Sequence, residues 1–285
     1  MTARLGPLFE ACGAQHRAAL IGYLPAGYPT VDGSRALLQA MLDGGCDLVE
    51  VGVPYSDPVL DGPTIQAAAE AALRGGVRLR DVLTVVESIA SRGGRAVVMT
   101  YWNPVHRYGV DAFGRDLAAA GGLGVITPDL IPEEAHDWLA AAQKHDLDRI
   151  FLVAPSSTDQ RLVCTAAATR GFLYASSVMG VTGARDVVSS AAGTLVSRAR
   201  EHAPGLPVGV GLGVHNGAQA AEVAAFADAV IVGSAFVTAA GAGVSGVRAL
   251  AADLATGVRR PAPNPPDHAH SLRIQRGSAG LSGRR

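Results

Sequence analysis

Along the chain, short runs dense in branched aliphatic residues alternate with longer stretches whose apolar residues recur every three or four positions. The runs cover residues 19–24, 48–53, 96–101, 124–127, 150–153, 172–175, 208–212 and 229–232. Continuous apolar runs of this length suit strands buried on both faces. The stretches between them include 34–43, 64–73, 81–91, 111–120, 133–145, 159–169 and 218–226, each with the periodicity of a helix carrying one apolar stripe. Strand followed by helix, repeated eight times in roughly 250 residues, predicts an α/β fold: a closed, single-domain (β/α)8 TIM barrel with its active site on the loops after the strands. An open doubly wound sheet is the rival. The cluster Gly209-Val210-Gly211-Leu212-Gly213 comes too late in the chain, and with the wrong glycine spacing, for a dinucleotide loop. The pattern stops near Thr256, so the barrel is expected to span residues 1–258, followed by a Pro/Gly/Arg-rich tail, 259–285, expected to be disordered.

Composition agrees and removes several function classes. With 48% hydrophobic residues in a chain of 285, one large core is expected. Basic and acidic residues nearly balance, 24 against 25, and the basic ones are scattered, so no nucleic-acid-binding surface is indicated. Cys12, Cys46 and Cys164 lack metal-ligand spacing and fall in segments read as helix, which suits a reduced, cytoplasmic protein. The N-terminal segment lacks the apolar run of a signal peptide, and no uninterrupted stretch of about 18 apolar residues occurs that could span a membrane.

Candidate chemistry centres on the second strand. In Leu48-Val49-Glu50-Val51-Gly52-Val53 a lone carboxylate interrupts an apolar strand near its C-terminal end. Desolvation there would raise its pKa and let it act as a general acid. A structural glutamate paired with an arginine is an equal alternative for Glu50 taken alone. The loop that follows is proline-rich and carries Asp57 and Asp61, so a second carboxyl group could join Glu50 at the barrel mouth. Asp61 could instead cap a helix or form an Asp-Gly turn, and Asp57 could stabilise the loop or contact a partner. On the far side, Gly211 and Gly213 end the seventh run, while Gly233 and Ser234 end the eighth and open a helix. Small residues and helix N-terminal amides at these two loops suit a phosphate. Residues 176–190 read as a long connection, a candidate lid, in which Thr182 offers a hydroxyl and Gly183 an amide. Lys144, the only lysine, lies at the polar end of a helix before strand five, which excludes Schiff-base chemistry at the mouth. His106 and His215 form no metal-ligand pattern.

The stretch LVEVGVPYSDPVLDGPTIQ, with MTYWNPV, ITPDLIP, IFLVAPSST, MGVTGARD, GVGLGV and IVGSA following in order, resembles the tryptophan synthase α chain family from about Leu8 to Val258. The resemblance implies a carbon-carbon lyase of tryptophan biosynthesis that performs retro-aldol cleavage of indole-3-glycerol phosphate to indole and glyceraldehyde 3-phosphate. It implies Glu50 as the acid-base residue and Asp61 as acceptor for the indole N–H. Gly183, Gly213, Gly233 and Ser234 would hold the phosphate. Tyr23, Ile65, Met99, Ile126, Tyr174, Gly211, Leu212 and Ile231 would form the indole pocket, with Thr182 closing over Asp61. Leu212, Tyr23 and Met99 depart from the residues common in the family. The resemblance also implies an αββα heterotetramer with a β chain that carries pyridoxal phosphate, no cofactor in this chain, and an interface at Asp57, Asn103, Asp129 and Pro132. A stand-alone lyase, a phosphosugar isomerase and a non-catalytic subunit are the competing readings.

Overall fold

A computed structural model describes residues 3–176 and 185–259. Eight parallel strands close into a barrel in chain order. They are β1 (Ala19–Pro25), β2 (Leu48–Gly52), β3 (Ala96–Met99), β4 (Gly124–Thr127), β5 (Asp148–Val153), β6 (Leu173–Ser176), β7 (Val208–Gly211) and β8 (Ala229–Val232). The helices are α1 (Gly6–Ala14), α2 (Val31–Gly44), α3 (Pro63–Arg74), α4 (Leu79–Ala90), α5 (Trp102–Tyr108), α6 (Val110–Ala119), α7 (His136–Lys144), α8 (Asp159–Ala168), α9 (Arg185–His202), α10 (Gly217–Ala224), α11 (Ser234–Ala240) and α12 (Gly243–Val258).

Alternation along each strand divides the apolar residues into two cores. Ile21, Leu48, Val97, Ile126, Ile150 and Phe172 fill the barrel interior, and α1 plugs its bottom with Leu5, Leu8 and Cys12. Leu20, Val49, Val98, Val125 and Phe151 point outward against the helices. The plug is latched by Asp148, a fully buried side chain whose carboxylate accepts the backbone N–H groups of Arg4 and Leu5 at 3.0 and 2.8 Å.

The strands lie where the apolar runs predict, with ends differing by a residue or two. Four local expectations are corrected. Residues 133–145 are not one helix, because Pro132–Glu134 forms a 3-10 turn and α7 starts only at His136. The connection after β6 is shorter than residues 176–190, because α9 begins at Arg185. Cys46 lies in the turn between α2 and β2 and not in a helix. Helices α5, α9 and α12 match none of the stretches named from the sequence, whereas Cys12 lies in α1 as expected. Helix α12 approaches its neighbours so closely that a Cβ on Gly44 would lie 2.5 Å from Ala251 Cβ, and one on Gly257 2.0 Å from Gly217 O. Residues 260–285 and the loop residues Thr182 and Gly183 lie outside the described residues.

Candidate active site

At the C-terminal end of the barrel, a cavity of about 130 Å³ is lined by Glu50, Asp61, Tyr23, Tyr174, Met99 and Ile231, with Leu60, Ile65, Leu152, Ser176 and Gly233 completing its wall. Strand register brings these residues together: Tyr23 pairs with Glu50 across β1 and β2, and Leu152 with Tyr174 across β5 and β6. Asp61 arrives from the loop between β2 and α3, and Ile65 from the first turn of α3.

Glu50 is fully buried, and neither carboxyl oxygen has a hydrogen-bond partner. The apolar surroundings penalise its ionised form and raise its pKa to about 8. At neutral pH it therefore carries a proton. Among the described residues Glu50 has no ion-pair partner of the kind a purely structural glutamate would need.

Asp61 is half-buried, and its pKa is also raised by burial, but a hydrogen bond from the Tyr101 hydroxyl opposes the shift. The two carboxyl groups therefore sit in different environments: one is desolvated without relief, the other is offered a donor. The phenols of Tyr23 and Tyr174 are pushed well above their ordinary range, first by burial and then by the nearby carboxyl groups of Asp61 and Glu50. Two glycines make room for these rings. A Cβ on Gly52 would fall 2.5 Å from Tyr23 Oη, and one on Gly211 2.7 Å from Tyr174 Oη.

The remaining candidates divide. Gly233 borders the cavity, Ser234 begins α11 beside it, and exposed Gly213 follows β7 with a left-handed φ of +62° that favours glycine. Ile126, the register partner of Met99, packs in the barrel's inner core and Leu212 in the outer core; neither is among the described residues lining the cavity. For Leu212 the reason is the two-residue period of strand side chains: Gly211 points inward, so its successor points out. Leu60, Leu152 and Ser176 were not singled out from the sequence. Leu152 follows inward-facing Ile150 by two positions, a signal that was available; Leu60 sits on an irregular loop and gave none.

Asp57, Asn103 and Asp129 are exposed and Pro132 half-buried, on loops around the same end of the barrel. Asp129 accepts the Trp102 N–H at 2.9 Å, and Asn103 donates to Tyr55 Oη at 3.3 Å. Large apolar side chains are exposed beside them: Val59, Leu60 and Ile131. Lys144 is bound to Asp111 on the outer helices, 2.8 Å away. Among the described residues no group of His, Cys, Asp or Glu could hold a metal ion, and no helix is long and apolar enough to cross a membrane. A larger cleft, about 590 Å³, opens at the bottom of the barrel near Phe9 and Cys12. Its arginines are already paired, Arg17 with Asp47 and Arg200 with Asp228, so it presents no unused reactive group comparable to Glu50.

A family model described as tryptophan synthase alpha chain matches residues 9–260. The tryptophan synthase alpha chain of Nocardia farcinica is 68% identical over 256 residues, covering 90% of this chain and 96% of that protein. Its counterpart from Mycobacterium tuberculosis strain H37Rv is 66% identical over 256 residues, covering 90% and 94%. Among solved structures, tryptophan synthase from M. tuberculosis in its aminoacrylate-bound form superposes with a TM-score of 0.85 at 62% identity, covering 90% of this chain and all of that one. The alpha subunit from Legionella pneumophila strain Paris gives 0.82 at 29% identity, covering 90% and 99%. With the family model spanning the whole barrel and relatives at two-thirds identity, the chain belongs to the tryptophan synthase alpha chain family.

Proposed function

We infer that this chain cleaves indole-3-glycerol phosphate to indole and glyceraldehyde 3-phosphate, with Glu50 as proton donor and acceptor and Asp61 as the electrostatic partner. The observation that carries the assignment of roles is the contrast between a buried, unpaired Glu50 and a half-buried, hydrogen-bonded Asp61 in one apolar cavity. A carboxyl group protonated at neutral pH is a general acid. Glu50 gives its proton to indole C3, which becomes tetrahedral, and the positive charge of the resulting iminium lies on the ring nitrogen. The Asp61 carboxylate accepts the N–H bond and stabilises that charge. The Glu50 carboxylate then takes the proton of the adjacent side-chain hydroxyl. As the C–O double bond forms, the carbon-carbon bond breaks and its electron pair restores the aromatic ring. Indole and the aldehyde leave, and Glu50 is protonated again.

Tyr23, Tyr174, Met99, Ile65 and Ile231 supply the walls against which the indole ring would lie. Gly213, Gly233 and Ser234, with Gly183 from the loop after β6, are assigned to the phosphate, and Thr182 to closure over Asp61. A tryptophan synthase β chain is the assigned partner, docking on the rim of Asp57, Asn103, Asp129 and Pro132. The exposed Val59, Leu60 and Ile131 support an interface there. Pyridoxal phosphate is assigned to that β chain: the single lysine of this chain is engaged by Asp111 away from the cavity. The deciding experiment follows indole release from indole-3-glycerol phosphate by the purified chain, with and without a β chain. Indole release accelerated by the β chain is expected; a chain that forms no indole under either condition would refute the reading.

A further inference from the structure

We propose that Tyr101 is a positioning residue for the cleavage reaction, its hydroxyl group holding the loop that carries Asp61. The inference rests on the assignment of Asp61 made above. Tyr101 lies between β3 and α5, outside the set of cavity-lining residues, and its ring is almost fully buried. Its oxygen accepts the backbone N–H groups of Val59 and Leu60 at 3.2 and 3.1 Å, the two residues that precede Asp61 in the chain. One phenol thus binds two consecutive residues of an otherwise irregular loop, directly before Asp61. Two N–H groups donating into that oxygen polarise its O–H bond and make it a better donor to the carboxylate.

The ring is itself fixed. It stacks on Tyr55 with centroids 5.2 Å apart, and Asn103 holds the Tyr55 hydroxyl at 3.3 Å. The chain on either side is anchored by Thr100 N–H to Ile126 O at 3.1 Å and by Trp102 N–H to Asp129 at 2.9 Å. Burial disfavours the Asp61 carboxylate, and the Tyr101 hydroxyl is the group that opposes this. The other ionisable groups close to Asp61, namely Glu50, Tyr23 and Tyr174, are acids that repel its charge when ionised. An anionic Asp61 at the barrel mouth therefore depends on Tyr101 for both its place and its charge.

Tyr101→Phe keeps the stacked ring and deletes only the hydroxyl. With indole-3-glycerol phosphate and the full chain, kcat is expected to fall about tenfold or more, while KM stays within about twofold. The acidic limb of the kcat/KM–pH profile is expected to move to higher pH. In an Asp61→Asn background the same change should alter kcat by less than about twofold, because the partner it acts through is already gone. A kcat loss with the acidic limb unmoved, or an equal loss in the Asp61→Asn background, would show a role confined to structure and overturn the proposal. Wild-type chain that releases no indole would instead sink the assignment of the reaction, which the same assay reads separately.

Discussion

At the scale of single residues, the site depends on keeping a carboxyl group neutral in water near neutral pH, and this carries a cost in stability. Glu50 ionises at about 8 in the fold, against an ordinary value of 4.5 when solvated. Between those two pH values the folded chain binds a proton that the unfolded chain has released, so stability falls as pH rises through the window. At roughly 1.4 kcal/mol per unit, the loss at pH 8 is on the order of a few kcal/mol. Glu50→Gln cannot ionise and escapes it. The variant is expected to lose ~10²- to 10⁴-fold in kcat yet to melt at a higher temperature than wild type at pH 8. The gap should close as pH falls toward 4, where both states of wild type are protonated; calorimetry at three pH values reads it directly. A melting temperature below wild type at pH 8 would mean that Glu50 is paired after all. In wild type, kcat/KM should decline above about pH 8, as Glu50 loses the proton it must deliver. It should also decline on the acid side, as Asp61, whose pKa burial raises, becomes neutral.

At the scale of elements, the cavity is shaped by pairing an aromatic residue on one strand with a glycine on the next. Tyr23 of β1 lies over Gly52 of β2, and Tyr174 of β6 over Gly211 of β7. Gly52→Ala would place a methyl group 2.6 Å from Tyr23 Cε2 and 2.7 Å from Cζ, too close for the ring to remain. The ring must turn toward the cavity, so KM for indole-3-glycerol phosphate should rise severalfold and the fold should lose ~1–3 kcal/mol from overpacking. Adding Tyr23→Leu should return much of that stability in chemical denaturation; no recovery would mean that the strain lies elsewhere. The same alternation explains what could be read from the sequence. The apolar runs located the strands, and a polar residue within one of them exposed Glu50. Leu212, a pocket position by likeness to the family, packs in the outer core, where the two-residue period turns its side chain outward. Tyr101 carried no signal, because its role arises from two contacts with a loop some forty residues earlier, and no local pattern encodes them.

At the scale of the whole molecule, the barrel separates stability from chemistry along its axis. The strand C-termini hold Glu50, Asp61 and the glycine loops, whereas the strand N-termini are sealed by α1 and its latch on Asp148. Asp148 is as buried as Glu50 and burial raises its pKa too, but two backbone N–H groups and the Arg170 guanidinium, 2.9 Å away, oppose the shift. One fold thus contains a carboxyl group left unpaired for catalysis and another paired to close the core. Asp148→Ala strands the buried N–H donors of Arg4 and Leu5 while Arg170 keeps Asp146 as partner, so it should cost ~1–3 kcal/mol, read as a lower denaturant midpoint. Because α1 meets the barrel at the end opposite the cavity, kcat at temperatures where the variant remains folded should stay within about twofold of wild type. A selective loss of kcat with little loss of stability would mean that the plug communicates with the mouth through the stacked layers of the interior. Phe9 against Phe172, and Phe172 against Tyr174, would be the path, with ring centroids 5.7 and 6.3 Å apart. The expected outcome follows from the contrast in packing: the interior layers are tightly filled by rigid branched side chains around one aromatic column, so releasing the bottom exposes the core without reorienting Glu50 at the top.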